Sequence, residues 1–263
     1  MADPAGPWHQ RRRSGNHTLV SGLLIAGWMI CQSAFTPVRA AGEPGSQATL
    51  PLTSAAGQDL LMRPGTRRAD YGSLSQWFET QANLAYCGVA SSVMVLNSLG
   101  LPAPAVPGYG SYRFWTQDNL WSGTDPTRVV SASAVKRRGM TLNELGVLLE
   151  NHGLQVERIH GQDLDLNAFR NLLQQSLANP ADRLLVNYSR REVGQQGGGH
   201  IAPLAAYHRE RDLVLILEVS RYRYPTVWVP VKDLWRAIRS IDTDSGLSRG
   251  LVLVERAQPP GAP

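Results

Sequence analysis

Three side chains in this 263-residue chain could together open an acyl bond: the thiol of Cys87, the imidazole of His200 and the carboxylate of Glu218. The chain has two cysteines, and the other, Cys31, falls in an apolar run near the N-terminus. If that run is lost on export, Cys87 is left alone in an oxidising compartment. A lone thiol there has no internal disulfide partner, so it is a packing residue, an intermolecular bridge or a nucleophile. Cys87 stands where a polar loop turns into the apolar stretch Gly88 to Leu99, with Val89, Val93 and Leu96 at helical spacing and Gly100 and Pro102 as the stop. A thiol at a helix N-terminus feels the positive end of the dipole and free backbone N–H groups, which favour the thiolate. Its small neighbours Ala85, Val89 and Ala90 suit a buried packing cysteine equally well, and the local sequence leaves both readings open.

A thiolate nucleophile needs a base, and the chain has six histidines. His9 and His17 precede the folded part, and His152 sits beside a helix-ending Gly153. His160 before Gly161, and His208 in the charged turn His208 to Asp212, read as solvated loop residues. His200 differs from these: it follows Gly197-Gly198-Gly199 and opens the apolar strand Ile201 to Tyr207, so the backbone can pass close while a rigid strand aims the ring. A strand-edge histidine bonded to a carbonyl is the alternative. The turn at His208 to Asp212 makes a hairpin with Leu213 to Val219, which places residue 218 opposite residues 200 to 202. Glu218 is the only charge in that second strand, and burying it unpaired would be costly. Orienting the imidazole explains its position; a solvent-facing glutamate is the other possibility. Gln81, six residues before Cys87, could join the Cys87 N–H in holding an oxyanion, or be a hydrated loop residue.

The elements that must position these groups predict an α+β domain. Helices come first: the one after Cys87, a second opened by the capping box Thr141 to Glu144, and a third from about Leu166 to Leu177. Strand-like runs follow Pro180, at Leu184 to Tyr188, Ile201 to Tyr207, Leu213 to Val219 and Gly250 to Val254. That order suits an early helix packed on a late, largely antiparallel sheet. Residues 1–40 read as a cleaved leader, from Arg11-Arg12-Arg13, an apolar run of 13 residues (Leu19 to Cys31) and Val38-Arg39-Ala40. The run is short of the roughly 20 residues that span a bilayer. No stable membrane anchor is expected after cleavage, and the protein is expected in the periplasm or outside the cell. Residues 41–66, rich in Gly, Pro, Ser and Ala, read as a flexible linker, 67–256 as the catalytic domain and 257–263 as a tail. Of 26 basic and 21 acidic residues, the leader holds four and one, leaving 22 against 20. A net charge of that size gives no case for nucleic acid.

Several separated motifs, in order, resemble the catalytic domain of the phytochelatin synthase family. They are Gln81-Ala82-Asn83-Leu84-Ala85-Tyr86-Cys87-Gly88, Gly197-Gly198-Gly199-His200, Leu217-Glu218-Val219-Ser220-Arg221-Tyr222-Arg223-Tyr224-Pro225, Trp228-Val229-Pro230, Leu234-Trp235, Ser240-Ile241-Asp242 and Arg249-Gly250. The resemblance spans about Arg67 to Glu255. It implies a papain-like cysteine-protease fold and an acyltransferase that cleaves the Cys-Gly amide of glutathione, releases glycine and holds γ-glutamylcysteine as a thioester for water or a second thiol peptide. On that pattern Cys87 is the nucleophile, His200 the acid and base, Glu218 the ring orienter and Gln81 the oxyanion donor. Asp242, Arg249 and Gly199 would hold substrate: aspartate suits the ammonium of the γ-glutamyl head, arginine its carboxylate.

Two departures carry consequences. The family usually has aspartate where this chain has Glu218, so one extra methylene must be accommodated. The cysteine-rich tail of plant and fungal members has no counterpart here, as in short bacterial forms, which favours hydrolysis over chain extension. No tightly bound cofactor or protein metal site is expected; cadmium or zinc would enter as the metal thiolate of the substrate. The partners implied are glutathione and related thiol peptides, and self-association is compatible with the sequence. The alternatives are a papain-like peptidase acting on other peptides and a non-catalytic binder of thiols or metal thiolates.

Overall fold

The computed structural model describes residues 49–257, so the expected leader, its cleavage site and the terminal tail beyond 257 lie outside the described residues. The chain folds early into short helices that bury one stripe each. A two-residue strand β1 (Leu50–Pro51) leads into α1 (Ala55–Met62), whose Ser54 cap accepts a hydrogen bond from the Gly57 N–H and which buries Leu60 and Leu61. Helix α2 (Tyr71–Gln76) buries Leu74. Structure therefore begins well before Arg67: the linker expected to reach residue 66 is, from residue 50 to 62, a paired strand and a packed helix. Its small residues and prolines hide a short amphipathic turn pattern that composition alone does not reveal.

Helix α3 (Cys87–Ser98) is buried all round from Gly88 to Asn97, the pattern of a helix at the centre of a core rather than on its surface. A long irregular stretch leads to α4 (Ala132–Arg138), capped by Ser131 and closed by Gly139 at φ +85°, a left-handed position that favours glycine. Helix α5 (Leu142–Asn151) starts with the complete Thr141–Glu144 capping box. Then comes β2 (Leu154–His160), which the sequence pattern did not predict; this edge strand carries four charged or polar residues, Gln155, Glu157, Arg158 and His160. After α6 (Leu166–Ser176) follow β3 (Asp182–Ser189), β4 (Gly199–His208), β5 (Leu213–Ile216), β6 (Val227–Pro230), α7 (Val231–Arg239) and β7 (Gly250–Arg256). Strands and helices thus interleave, and the expectation that strands come only after residue 180 is corrected by β2.

Among the described residues the strands form one sheet in the order β1-β6-β5-β4-β3-β7-β2, with every neighbouring pair antiparallel. One face packs on residues of α1 to α5, including Val93, Leu96, Leu145 and Leu149. The opposite face packs on α6 and α7 through Phe169, Leu173, Leu234 and Ile238. A buried ion pair, Arg183 to Asp70 at 3.1 Å, ties β3 to the N-terminus of α2, and Arg183 also donates to Ser98 Oγ at the end of α3. No helix among the described residues is long and apolar enough to cross a membrane.

The hairpin that matters runs β4 to β5. Its register pairs His208 with Leu213 and Ala206 with Leu215, then Leu204 with Ile216, so Ala205 is an extra residue, a β-bulge. The bulge reverses which side chains face which core: Ala205 and Ala206 both reach the first cluster, while Ala202 and Leu204 reach the second. β5 stops at Ile216, earlier than the Val219 end expected. The Leu217 N–H still donates to Pro203 O at 3.0 Å, and the chain beyond leaves the ladder.

Candidate active site

Cys87 is the first residue of α3, half-buried, with no disulfide partner among the described residues. One turn on, the Ser91 hydroxyl donates to Ile201 O at 3.2 Å, pinning the start of the helix to β4 beside His200. Gly88 makes that approach possible: a Cβ there would lie 3.2 Å from both Ile201 Cδ1 and Met140 Sδ. Burial pushes the Cys87 thiol up, but the His200 ring, by hydrogen bond and charge, and the backbone groups of Ile201 and Gly88 outweigh it, and the thiol stays below its ordinary value. Burial pulls the His200 ring down; its contacts with Cys87 and Glu218 outweigh that and hold it above the usual imidazole range. Both shifts favour the same state, a thiolate beside an imidazolium.

Glu218 is completely buried and places Oε1 2.7 Å from His200 Nε2. At that distance the ring and the carboxylate each favour the other's charged form. The contact leaves Nδ1 as the nitrogen available to the thiol. Arg190, itself buried, donates to both carboxylate oxygens at 2.9 and 3.0 Å, and the Ser220 N–H donates to Oε1 at 2.6 Å. Burial alone would raise this carboxyl, yet His200 and Arg190 together bring it down to about 2. The methylene that distinguishes glutamate from aspartate is thus taken up by a side chain held from three directions. Tyr188, opposite His200 in the β3–β4 register, meets the ring edge-on at 5.7 Å.

Gln81 is buried, not hydrated. Its Oε1 accepts from the Ser220 hydroxyl at 2.6 Å, and its Nε2 donates to Asn83 O at 2.6 Å. Ser220 therefore joins Gln81 to Glu218, one through its hydroxyl and the other through its backbone. Arg190, Ser220 and Tyr188 escaped the sequence reading because nothing local marks them; Arg190 and Glu218 are 28 residues apart and meet only through the sheet. Of the two histidines expected in solvent, His208 is buried, its Nδ1 accepting from the Arg211 N–H at 3.3 Å, and His160 is half-buried, with Nδ1 2.6 Å from Ser248 O.

Cys87 lies where two arms of a cleft meet. One arm, about 210 Å³, is lined by Asn187, Gly199, His200, Asp242 and Arg249. Asp242 and Arg249 stand 3.5 Å apart there, and Arg249 Nη1 donates to Asn187 Oδ1 at 2.9 Å. The buried Arg249 Nε and Asn187 Nδ2 have no hydrogen-bond partner among the described residues. A Cβ at Gly199 would fall 2.1 Å from Arg249 Nη1, so a side chain there would displace the guanidinium from its present place. The other arm, about 500 Å³, runs past Leu84 to Lys136, Arg137 and Arg138. A larger depression of about 610 Å³ beside α6, near Arg170 and Asp212, has neither thiol nor imidazole on its walls and is separate from this site. No group of three or more His, Cys, Asp or Glu side chains among the described residues is arranged to hold a metal ion.

The sequence pattern describing the phytochelatin synthase family matches residues 44–251. Glutathione gamma-glutamylcysteinyltransferase 3 of Lotus japonicus is 34% identical over 183 residues, 70% of this chain and 37% of that protein. Glutathione gamma-glutamylcysteinyltransferase 2 of Arabidopsis thaliana is 33% identical over 195 residues, 74% of this chain and 41% of the relative. Glutathione gamma-glutamylcysteinyltransferase of Schizosaccharomyces pombe is 32% identical over 208 residues, 78% and 49%. The matched part of the chain spans two fifths to half the length of these relatives.

Proposed function

The chain belongs to the phytochelatin synthase family, and from that premise we propose that it cleaves the cysteinyl-glycine amide of glutathione through a thioester on Cys87. The fold reads as papain-like: a nucleophile opening a central helix, against an antiparallel sheet that carries the imidazole. The single observation that carries the chemistry is the Cys87–His200–Glu218 line, in which a lowered thiol, a raised imidazole and a carboxylate held at about 2 favour one charge state.

In the acylation half, the Cys87 thiolate bonds to the cysteinyl carbonyl carbon. The oxygen becomes an oxyanion, and the Cys87 N–H with the Gln81 amide supplies its donors. His200 passes its proton to the glycine nitrogen, the C–N bond breaks, and glycine leaves. In the second half His200 takes a proton from water, oxygen adds to the thioester, the C–S bond breaks, and γ-glutamylcysteine departs. A thiol peptide replacing water gives a longer γ-glutamyl peptide; hydrolysis is the main outcome proposed for this chain. Asp242 and Arg249 hold the ammonium and carboxylate of the γ-glutamyl head, with Gly199 as the floor. Heavy metals such as cadmium or zinc belong to the substrate side, as thiolates of glutathione. Export to the periplasm or beyond follows from the leader pattern in residues 1–40.

The decisive experiment is Cys87→Ser. Glycine release from glutathione, followed by mass, is expected to disappear; release at the wild-type rate overturns the mechanism.

A further inference from the structure

Beyond Cys87 and Gly199, the walls of the second arm have no part in the triad or in holding the γ-glutamyl head. We infer that Lys136 and Arg137 form the binding subsite for the carboxylate on the amine side of the scissile bond, the glycyl carboxylate of glutathione. This rests on glutathione being the substrate.

The two arms meet at Cys87 and share Arg138, Gly139 and Gly199, so they form one groove with the nucleophile between its ends. If the zwitterionic head lies between Asp242 and Arg249, and the cysteinyl carbonyl lies over Cys87, the glycine must extend into the other arm. One residue reaches only about 3.5 Å, so its carboxylate stays close to the thiol. The charges at the two ends differ as the substrate's do: a paired acid and base where the head has both charges, and unopposed cations where the tail has one negative charge.

Arg138 is committed to Glu144 through two hydrogen bonds. Lys136 and Arg137 are exposed on the wall of the arm, and neither has an ion pair or side-chain hydrogen bond among the described residues. A helix C-terminus favours cations in any setting. It does not require them on a wall that opens onto the nucleophile, and Gly139, by ending α4 at that point, puts them there. The same subsite would serve any acceptor amine that bears a carboxylate on its α-carbon, because an incoming amine must occupy the place glycine leaves.

The test compares glutathione with its glycyl ethyl ester, which keeps the head and the scissile bond and removes only the tail charge. Both yield γ-glutamylcysteine, quantified by mass. The wild-type protein is expected to favour glutathione by about tenfold in kcat/KM. Lys136→Ala with Arg137→Ala brings that ratio close to one, and Lys136→Arg with Arg137→Lys retains it. Asp242→Ala lowers both substrates alike, which separates the two arms. A wild-type ratio near one, or an alanine variant that keeps the wild-type ratio, overturns the subsite. No γ-glutamylcysteine from either peptide with wild-type protein overturns the functional reading itself, and the subsite with it.

Discussion

Glu218 acts on the site through His200, whose ring it touches and, together with Cys87, helps hold above the usual imidazole range. Its carboxylate is ionised because Arg190 grips both oxygens and His200 stands against one of them. Glu218→Gln removes the negative charge while keeping the shape. Without it the imidazolium is less favoured, so His200 titrates lower; the thiolate then loses part of its counter-charge, so Cys87 titrates higher. The pH profile of kcat/KM is therefore expected to narrow from both sides, with the maximum rate falling about 10²-fold or more. A profile of unchanged width in Glu218→Gln would mean that the carboxylate has no electrostatic role. Arg190 and Ser220 act through Glu218 and Gln81 rather than on substrate, as positioning residues.

At the scale of elements, the site is an alignment of α3 with β4 and of β4 with the chain leaving β5. The bulge at Ala205, on β4, shifts the hairpin register by one, and the chain leaving β5 carries Glu218 within reach of His200. An unbroken ladder from His208–Leu213 would have put the β4 side chains beyond the bulge, His200 among them, on the opposite face. Arg183 fixes the far end of the same assembly, linking β3, the α2 N-terminus and the C-terminus of α3. Arg183→Ala leaves Asp70 buried without its guanidinium, and a loss of about 3–5 kcal/mol is expected in denaturant unfolding. Arg183→Ala with Asp70→Ala should recover part of it, because no buried carboxyl is then left without its partner; equal losses in the single and double variants would argue against the pair.

For the molecule as a whole, acid stability reports buried groups that fold with the wrong proton count for low pH. His152 packs edge-on against Trp115 at 4.5 Å, and burial holds it down to about 4 against an ordinary 6.5. The folded state therefore keeps this ring neutral where the unfolded chain protonates it. Its contribution is fully present above pH 6.5 and is lost as pH falls toward 4, by about 3 kcal/mol. Glu218, held at about 2 against 4.5, adds a second loss that starts only below pH 4.5. As pH falls from 7 to 4.5, His152→Phe is expected to gain thermal midpoint relative to the parent protein, because it lacks the ring that the unfolded chain protonates; a difference between the two that stays constant with pH would argue against this role for His152. The sequence by itself determined the α+β class, the helix that opens at Cys87, the capping box, the strand that follows His200 and the turn that joins it to the run carrying Glu218, because periodicity, caps and turns are local signals. Only the tertiary structure decided the rest. β2, β6 and α7 are short and set by the neighbours they pack against, so their patterns are ambiguous in isolation. The Ala205 bulge, the grip of Arg190 on Glu218, the Ser220 bridge to Gln81 and the two-armed cleft join residues far apart in the chain, and such contacts leave no trace in local spacing.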